Sequence, residues 1–182
     1  MSEDVLVKNS SPTLAGLKTG SLFNLSFRSE EERIACLQSW NRVLSEKGLK
    51  ACPVRLRENR ALIYVFRPSR LEKDLQDPVA ARILLERGYC PMLPDQCLSH
   101  LIERLKDTSE FPHEIGLFLG YPPEDVLGFI QDANGQKYTG IWKVYGDVPQ
   151  ARKLFARYKK CTEVYCRQFL SGVSLEKLAV AG

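Results

Sequence analysis

One of the two histidines in this 182-residue chain, His113, is followed directly by Glu114. A histidine beside a carboxylate can serve as a general acid or base, because imidazole titrates near neutral pH. Pro112 fixes the backbone just before the pair, and an imidazole at the start of a helix can face a cleft. The competing interpretation is a histidine that hydrogen-bonds a backbone carbonyl. His113 and Glu114 are therefore candidate catalytic residues.

Lys18 and Cys52 are two further candidates for catalysis. Lys18 lies in the segment GLKTGS, which is rich in glycine but lacks the spacing of a phosphate-binding loop. Cys52 lies near Lys50, and a nucleophilic thiolate needs a lowered pKa and a base, for which His113 is a candidate. If the protein is an enzyme, of unassigned class, that uses Lys18, Cys52 and the His113–Glu114 pair, these four side chains must converge on one cleft.

Cys90, Cys97 and His100 form a C-x6-C-x2-H pattern that suggests a metal site. On a helix, Cys97 and His100 lie about 60° apart, so they could share an ion. A structural zinc site needs four ligands and usually a tighter cysteine knuckle, and the sequence offers no fourth partner. We therefore expect a solvent-facing His100, no metal site and no cofactor.

The order of the secondary-structure elements predicts an α+β fold. Apolar residues alternate with polar ones before the first helix, and a hairpin follows it, with its second arm continuously apolar. Helix caps and helical periodicity predict about six helices, of which one is capped by Ser29, one is capped by Asp77 and one begins near Pro94. Because strands and helices do not alternate strictly, we expect a small, mostly antiparallel sheet. Its predicted strands lie near 22–27, 51–57, 61–66 and 138–145.

The chain has the length of one domain and can bury a sizeable core. We expect residues 1–12 to form a flexible N-terminal tail, because they show no strong pattern. Residues 13–170 are predicted to form a single α+β domain. Residues 171–182 are predicted to form a C-terminal tail that is either a short helix or frayed.

The segment FPHEIGLFLGYPPEDVLGFI, residues 111–130, admits two interpretations around 113–119. As a helix, it places Ile115, Phe118 and Leu119 on one face, with Gly120 as a left-handed residue after the helix and Pro123 starting a second helix. As a strand, it places the odd-numbered residues from 115 to 121 on one side. We favour the helix–turn–helix interpretation.

Charge and cysteine content limit the environment and the partners. The net charge of +4 is too mild to indicate nucleic-acid binding, and no apolar run approaches the length of a membrane span. Glu3 and Asp4 stand where a signal peptide would carry positive charge. The six cysteines include no C-x-x-C pair. We therefore expect a cytoplasmic protein that binds neither nucleic acid nor membrane.

Four segments together carry a family resemblance: LIYVFRPSRLEKDLQD, FPHEIGLFLGYPPEDVLGFI, GIWKVYGD and FARYKKC. With these segments the chain resembles an uncharacterised bacterial family known as domain of unknown function 3793, over roughly residues 12–166. The resemblance implies a small cytosolic protein, mostly of anaerobic Gram-positive bacteria. It implies no reaction, cofactor or catalytic residue.

The leading functional hypothesis is a non-catalytic module that binds a small molecule or a partner protein. Its site is expected near residues 111–130 and the strand Trp142–Tyr145. The alternative is the enzyme of unassigned class with a site around His113, Glu114, Lys18 and Cys52.

Overall fold

The structure, a computed structural model, describes residues 2–106 and 111–182 and has an α+β fold. In chain order its elements are α1 (Ser2–Leu14), β1 (Gly20–Ser26), α2 (Glu30–Glu46), β2 (Lys50–Arg57), β3 (Arg60–Phe66), α3 (Pro68–Leu75), α4 (Pro78–Leu85), α5 (Pro94–Lys106), α6 (Ile115–Phe118), α7 (Pro123–Gln131), β4 (Tyr138–Thr139), β5 (Lys143–Val144), α8 (Val148–Leu170) and α9 (Leu175–Leu178). The predicted fold class is confirmed. The described part of the chain contains more helices than the predicted six or so, because both predicted tails include a helix.

Three strands form an antiparallel sheet in the order β1-β3-β2. The central strand, β3, is buried from Ala61 to Phe66, as its continuous apolar sequence predicts. The β2–β3 hairpin turns at Glu58 and Asn59, where Glu58 adopts a φ of +46°. The pairing of β2 shifts between Pro53 and Arg55, next to the proline that has no N–H to donate.

The predicted strand at 138–145 is wrong in detail, because this segment folds back on itself. It forms a separate two-stranded antiparallel sheet in which β4 pairs with β5. The reversal occurs around Gly140, where a Cβ atom would overlap the ring of Phe155. Gly140 therefore lets the turn approach the aromatic ring, which a strand with an ordinary side chain at this position would prevent.

The predicted flexible tail at 1–12 is also wrong for the described residues, since α1 occupies Ser2–Leu14; Met1 lies outside them. Leu6, Val7 and Leu14 are buried in α1 and belong to an apolar core with β1 and β3. The helix also buries several small hydroxyl residues: Ser10, Ser11 and Thr13. Because serine and threonine are typical of exposed segments, the sequence pattern gave no indication of this burial.

The C-terminal segment 171–182 contains a short helix, one of the two forms predicted for this tail, but the apolar residues of this helix are buried. Leu175 and Leu178 of α9 pack in the same apolar core as α1. The buried guanidinium of Arg67 donates hydrogen bonds to the carbonyl oxygens of Thr13, Leu14 and Val180, at 2.8 Å each. Arg67 thus joins the end of α1 to the chain that follows α9.

The chain divides into two compact units. The first contains the chain up to Ser69 together with Lys160–Gly182, and the second contains Arg70–Lys159. The three-stranded sheet belongs to the first unit, and the β4–β5 hairpin belongs to the second. The single domain over 13–170 stays a prediction. Along the described residues, no helix is both long enough and apolar enough to cross a membrane.

Asp77 caps α4 as its sequence predicts, since its side chain accepts hydrogen bonds from the amides of Val79 and Ala80 at 2.9 and 3.1 Å. We expect Asp77→Ala to lower the free energy of unfolding by about 1 kcal/mol, the usual cost of losing such a cap. Urea denaturation measures this change. Asp95→Ala, in the exposed first turn of α5, is the control. An equal loss in both variants would contradict the capping role of Asp77.

Candidate functional site

In the second unit, a cavity of about 350 Å³ lies among α6, α7 and the β4–β5 hairpin. The 113–119 region forms the short helix α6, which confirms the helix–turn–helix interpretation. Gly120 follows it with a φ of +74°, in the left-handed region that favours glycine. Pro123 then starts α7. The corner formed by Gly-Tyr-Pro-Pro, residues 120–123, therefore places both α6 and α7 beside the cavity.

Gly116 permits the close packing of these two helices. A Cβ atom at this position would lie 2.8 Å from Cγ2 of Val126 on α7 and 3.0 Å from Cδ2 of Tyr121. Both distances are shorter than ordinary van der Waals contact. A larger residue at Gly116 would push α7 or the Tyr121 ring away from the cavity wall.

The cavity wall is mostly aromatic and aliphatic. Its apolar members come from the corner, from α7 and from the hairpin: Phe111, Ile115, Tyr121, Val126, Phe129, Ile141 and Trp142. Phe111 and Ile141 remain 42% and 48% exposed, so they lie at the mouth of the cavity. Such a wall favours contact with an apolar, ring-containing molecule.

Asp125 fixes the hairpin against α7. Its buried carboxylate accepts a hydrogen bond from the Trp142 indole N–H and one each from the backbone amides of Tyr145 and Gly146, all at 2.8 Å. Trp142 also stacks on Tyr121, with ring centroids 4.4 Å apart. The position of the Trp142 ring in the cavity wall therefore depends on a carboxylate 17 residues earlier in the chain.

His113 and Lys143 are the basic residues of the cavity lining. The His113 ring meets Phe129 edge to face at 4.9 Å between centroids. The Lys143 ammonium lies 5.4 Å from the centroid of the same Phe129 ring. It also donates a hydrogen bond to the carbonyl oxygen of Ala133 at 2.5 Å. Both basic side chains thus adjoin Phe129.

Glu114 does not line the cavity beside His113. Its side chain is 1% exposed, and its Oε1 atom accepts a hydrogen bond from the Tyr89 hydroxyl at 2.8 Å. The Nε atom of Arg104 lies 2.7 Å from the same oxygen, and the Nε atom of Arg87 lies 3.7 Å from Oε2. Burial is the main cause that raises the pKa of the Tyr89 hydroxyl, and the negative charge of Glu114 and its hydrogen bond raise this pKa further. Glu114 is therefore a buried carboxylate that pairs with two partly exposed guanidinium groups.

Lys18 and Cys52 lie in the first unit, whereas His113 and Glu114 lie in the second. Burial lowers the pKa of Lys18 to about 8. Burial raises the pKa of the Cys52 thiol to about 11, an effect that the charge of Lys50 partly opposes. A protonated thiol at neutral pH is a poor nucleophile. Convergence of the four candidates on one cleft stays a prediction.

The three metal-ligand candidates have other contacts. The buried Cys97 thiol donates a hydrogen bond to the backbone carbonyl of Cys90 at 3.0 Å. His100 is half-buried rather than solvent-facing, and its ring packs on Tyr89 with centroids 4.3 Å apart. Among the residues that the structure describes, no group of three or more histidine, cysteine, aspartate or glutamate side chains could hold a metal ion.

Fold and site together define an α+β protein with an aromatic-walled cavity in its second unit. The chain belongs to the family described as "Protein of unknown function (DUF3793)", whose family model matches residues 6–179. This match confirms the family resemblance carried by the four sequence segments. No curated protein and no solved structure matches the chain.

Proposed function

We propose that the protein binds a small, largely apolar molecule in the cavity of its second unit and catalyses no reaction on it. The cavity itself carries this proposal. Its volume of about 350 Å³ lies within the range of about 300–1,000 Å³ that is common for small-molecule sites. Its wall combines aromatic rings with a few polar groups, as such sites usually do.

The internal hydrogen bonds of the wall support a site that is formed before the ligand arrives. Asp125 holds the Trp142 ring through the indole N–H and holds the following chain through two backbone amides. Tyr121 and Phe155 contact the Trp142 ring from two sides, at 4.4 and 4.5 Å between centroids. A wall fixed in this way reduces the entropy lost when a ligand binds.

Binding without catalysis agrees with the contacts of the candidate catalytic residues. Of these, His113 lines the cavity, while the buried Glu114 accepts hydrogen bonds from Tyr89 and Arg104. General acid–base catalysis usually requires a second group within hydrogen-bonding reach of the reacting atoms. The adjacency of His113 and Glu114 in sequence therefore gives no support to a shared catalytic role.

We also propose the bacterial cytosol as the site of action. The cysteines of the chain are Cys36, Cys52, Cys90, Cys97, Cys161 and Cys166, and all six are free thiols. Free thiols persist in a reducing compartment, whereas oxidising compartments favour disulfides.

The shape of the cavity favours a small molecule over a protein as the ligand. A protein interface typically buries a larger surface than the wall of a cavity of this size offers.

The indole N–H signals of Trp40 and Trp142 provide a direct test of binding. Because Trp142 lines the cavity and Trp40 lies in the core of the first unit, a ligand should shift the Trp142 signal and leave the Trp40 signal in place. The measurement is a titration of ¹⁵N-labelled protein with a library of small ring compounds, with Trp142→Phe used to assign the signals.

Ile141→Asp should weaken binding of the library hits by about tenfold or more, because it places a charge in the apolar mouth of the cavity. Ile34→Asp is the matched control, since Ile34 on α2 is 45% exposed and Ile141 is 48% exposed. No shift of the Trp142 signal at about 1 mM of any compound would contradict the proposal. Equal weakening by both substitutions would contradict it as well.

A further inference from the structure

At one end of the cavity, the basic side chains of His113 and Lys143 both lie beside the ring of Phe129. His113 meets the Phe129 ring edge to face at 4.9 Å, and the Lys143 ammonium lies 5.4 Å from its centroid. The remaining wall consists mainly of apolar side chains, among them Trp142 and Tyr121. A ligand inside the cavity therefore meets aromatic surface on one side and basic side chains beside Phe129.

Lys143 retains hydrogen-bonding capacity at this end. A lysine ammonium has three N–H donors. One donor is directed to the Ala133 carbonyl oxygen at 2.5 Å, and the contact with Phe129 uses the face of the ring. The remaining donors can pair with an anionic oxygen of a ligand, and such charge-assisted hydrogen bonds are stronger than neutral ones.

The carboxylate oxygens of Asp125 are occupied by hydrogen-bond donors of the protein. Its two oxygens accept three hydrogen bonds, from the Trp142 indole and from the amides of Tyr145 and Gly146. Of the charged residues in the cavity lining, Asp125 has its oxygens occupied by donors of the protein, and Lys143 is the one that favours an anionic ligand group.

We infer that the ligand is a planar acid, that is, a flat ring system that carries one anionic oxygen group such as a carboxylate. The rings contact Phe129 and Trp142, and the anionic group pairs with Lys143 on the side where His113 lies. This inference rests on the proposed function, because it assigns a ligand class to the same cavity. It adds a charge requirement that apolar binding alone does not impose.

Three naphthalene probes that share one ring shape test the charge requirement: 2-naphthoate, 2-naphthamide and 2-naphthylmethylamine. We expect the acid to bind about tenfold more tightly than the amide, from one charge-assisted hydrogen bond, and the amine to bind most weakly. Isothermal titration calorimetry of the full chain measures the three dissociation constants. The Trp142 indole signal reports whether each probe occupies the cavity.

Lys143→Met should remove the preference for the acid over the amide, because it weakens binding of the acid more than binding of the amide. Circular dichroism shows whether the variant is folded. Lys143→Arg, which keeps the charge, should keep the preference. Lys137→Met is the matched control, because the Lys137 ammonium contacts the Gly146 carbonyl and lies outside the cavity lining. It should behave like the wild type.

The outcomes separate the two proposals. Equal binding of acid and amide, or an acid preference that survives in Lys143→Met, overturns the planar-acid inference and leaves cavity binding in place. If none of the three probes binds while other ring compounds shift the Trp142 signal, the inference again fails and the proposed function stands. If no compound of any class shifts that signal, both fail.

Discussion

Replacing Glu114 with alanine is expected to lower the free energy of unfolding by about 2–3 kcal/mol, the cost of losing charged hydrogen bonds whose cationic partners are partly exposed. The carboxylate is 1% exposed and pairs with Arg104 at 2.7 Å, with the Tyr89 hydroxyl at 2.8 Å and with Arg87 at 3.7 Å. Its removal leaves two partly exposed guanidinium groups without their carboxylate and the buried Tyr89 hydroxyl without its acceptor. Urea denaturation followed by circular dichroism measures the change.

Glu103→Ala is the matched control for this experiment. Glu103 pairs with Lys106 one helical turn away, at 2.6 Å, but the two side chains are 69% and 63% exposed. An exposed ion pair of this kind contributes less than about 1 kcal/mol. If Glu114→Ala were no more destabilising than Glu103→Ala, the contacts of the buried Glu114 carboxylate would not stabilise the second unit. Retained stability would also reopen a functional role for Glu114.

Asp125→Ala should cost about 3–5 kcal/mol and should also abolish ligand binding. The substitution leaves the Trp142 indole and the amides of Tyr145 and Gly146 without their acceptor, and each buried unsatisfied donor costs about 1–3 kcal/mol. Because Asp125 joins α7 to the hairpin, its loss should free the Trp142 ring from the cavity wall. Urea denaturation and hydrogen exchange of the indole N–H measure the two effects.

Glu124→Ala provides the control for Asp125, since the neighbouring carboxylate is exposed at the start of α7. A change within about 0.5 kcal/mol is typical of such surface positions. In Asp125→Ala the Trp142 indole proton should exchange with solvent much faster than in the wild type. Unchanged exchange would show that other contacts hold the ring, against the role assigned to Asp125.

The helix starts and strands that depend on neighbouring residues could be predicted from the sequence. Ser29 is the N-cap of α2, Asp77 caps α4, and α5 begins at Pro94, as the sequence predicts. The alternation of apolar and polar residues before α2 and the hairpin after it likewise predicted three strands, which form one sheet in the structure. Each of these features depends on residues within a few positions of one another.

The burial of residues that follow no apolar pattern could not be predicted from the sequence. Helix α1 buries Ser10, Ser11 and Thr13, and Thr13 shares a hydrogen bond at 2.8 Å with the buried Ser21 on β1. These residue types usually lie at the surface, so their burial depends on partners that are fixed by the fold. The close contact between Gly140 and the Phe155 ring has a similar cause, because only the fold brings these two residues together.

The segments that line the cavity were predicted to lie together, but the contacts of their charged residues could not be predicted. The segment 111–130 and the Trp142 region were expected to lie near the site, and both line the cavity. Glu114 and Asp125, however, take their roles from partners 25 and 17 residues away, at Tyr89 and Trp142. The distance along the sequence does not predict that such residues contact each other. The adjacency of His113 and Glu114 suggested a shared role, whereas their side chains contact different surroundings.

A crystal structure of the protein with bound 2-naphthoate tests the central claim most directly. The account predicts that the rings lie in the cavity against Phe129 and Trp142. It also predicts a carboxylate oxygen within about 3 Å of the Lys143 ammonium, the distance of a charge-assisted hydrogen bond. Naphthoate bound elsewhere on the protein, with this cavity empty, would contradict the claim.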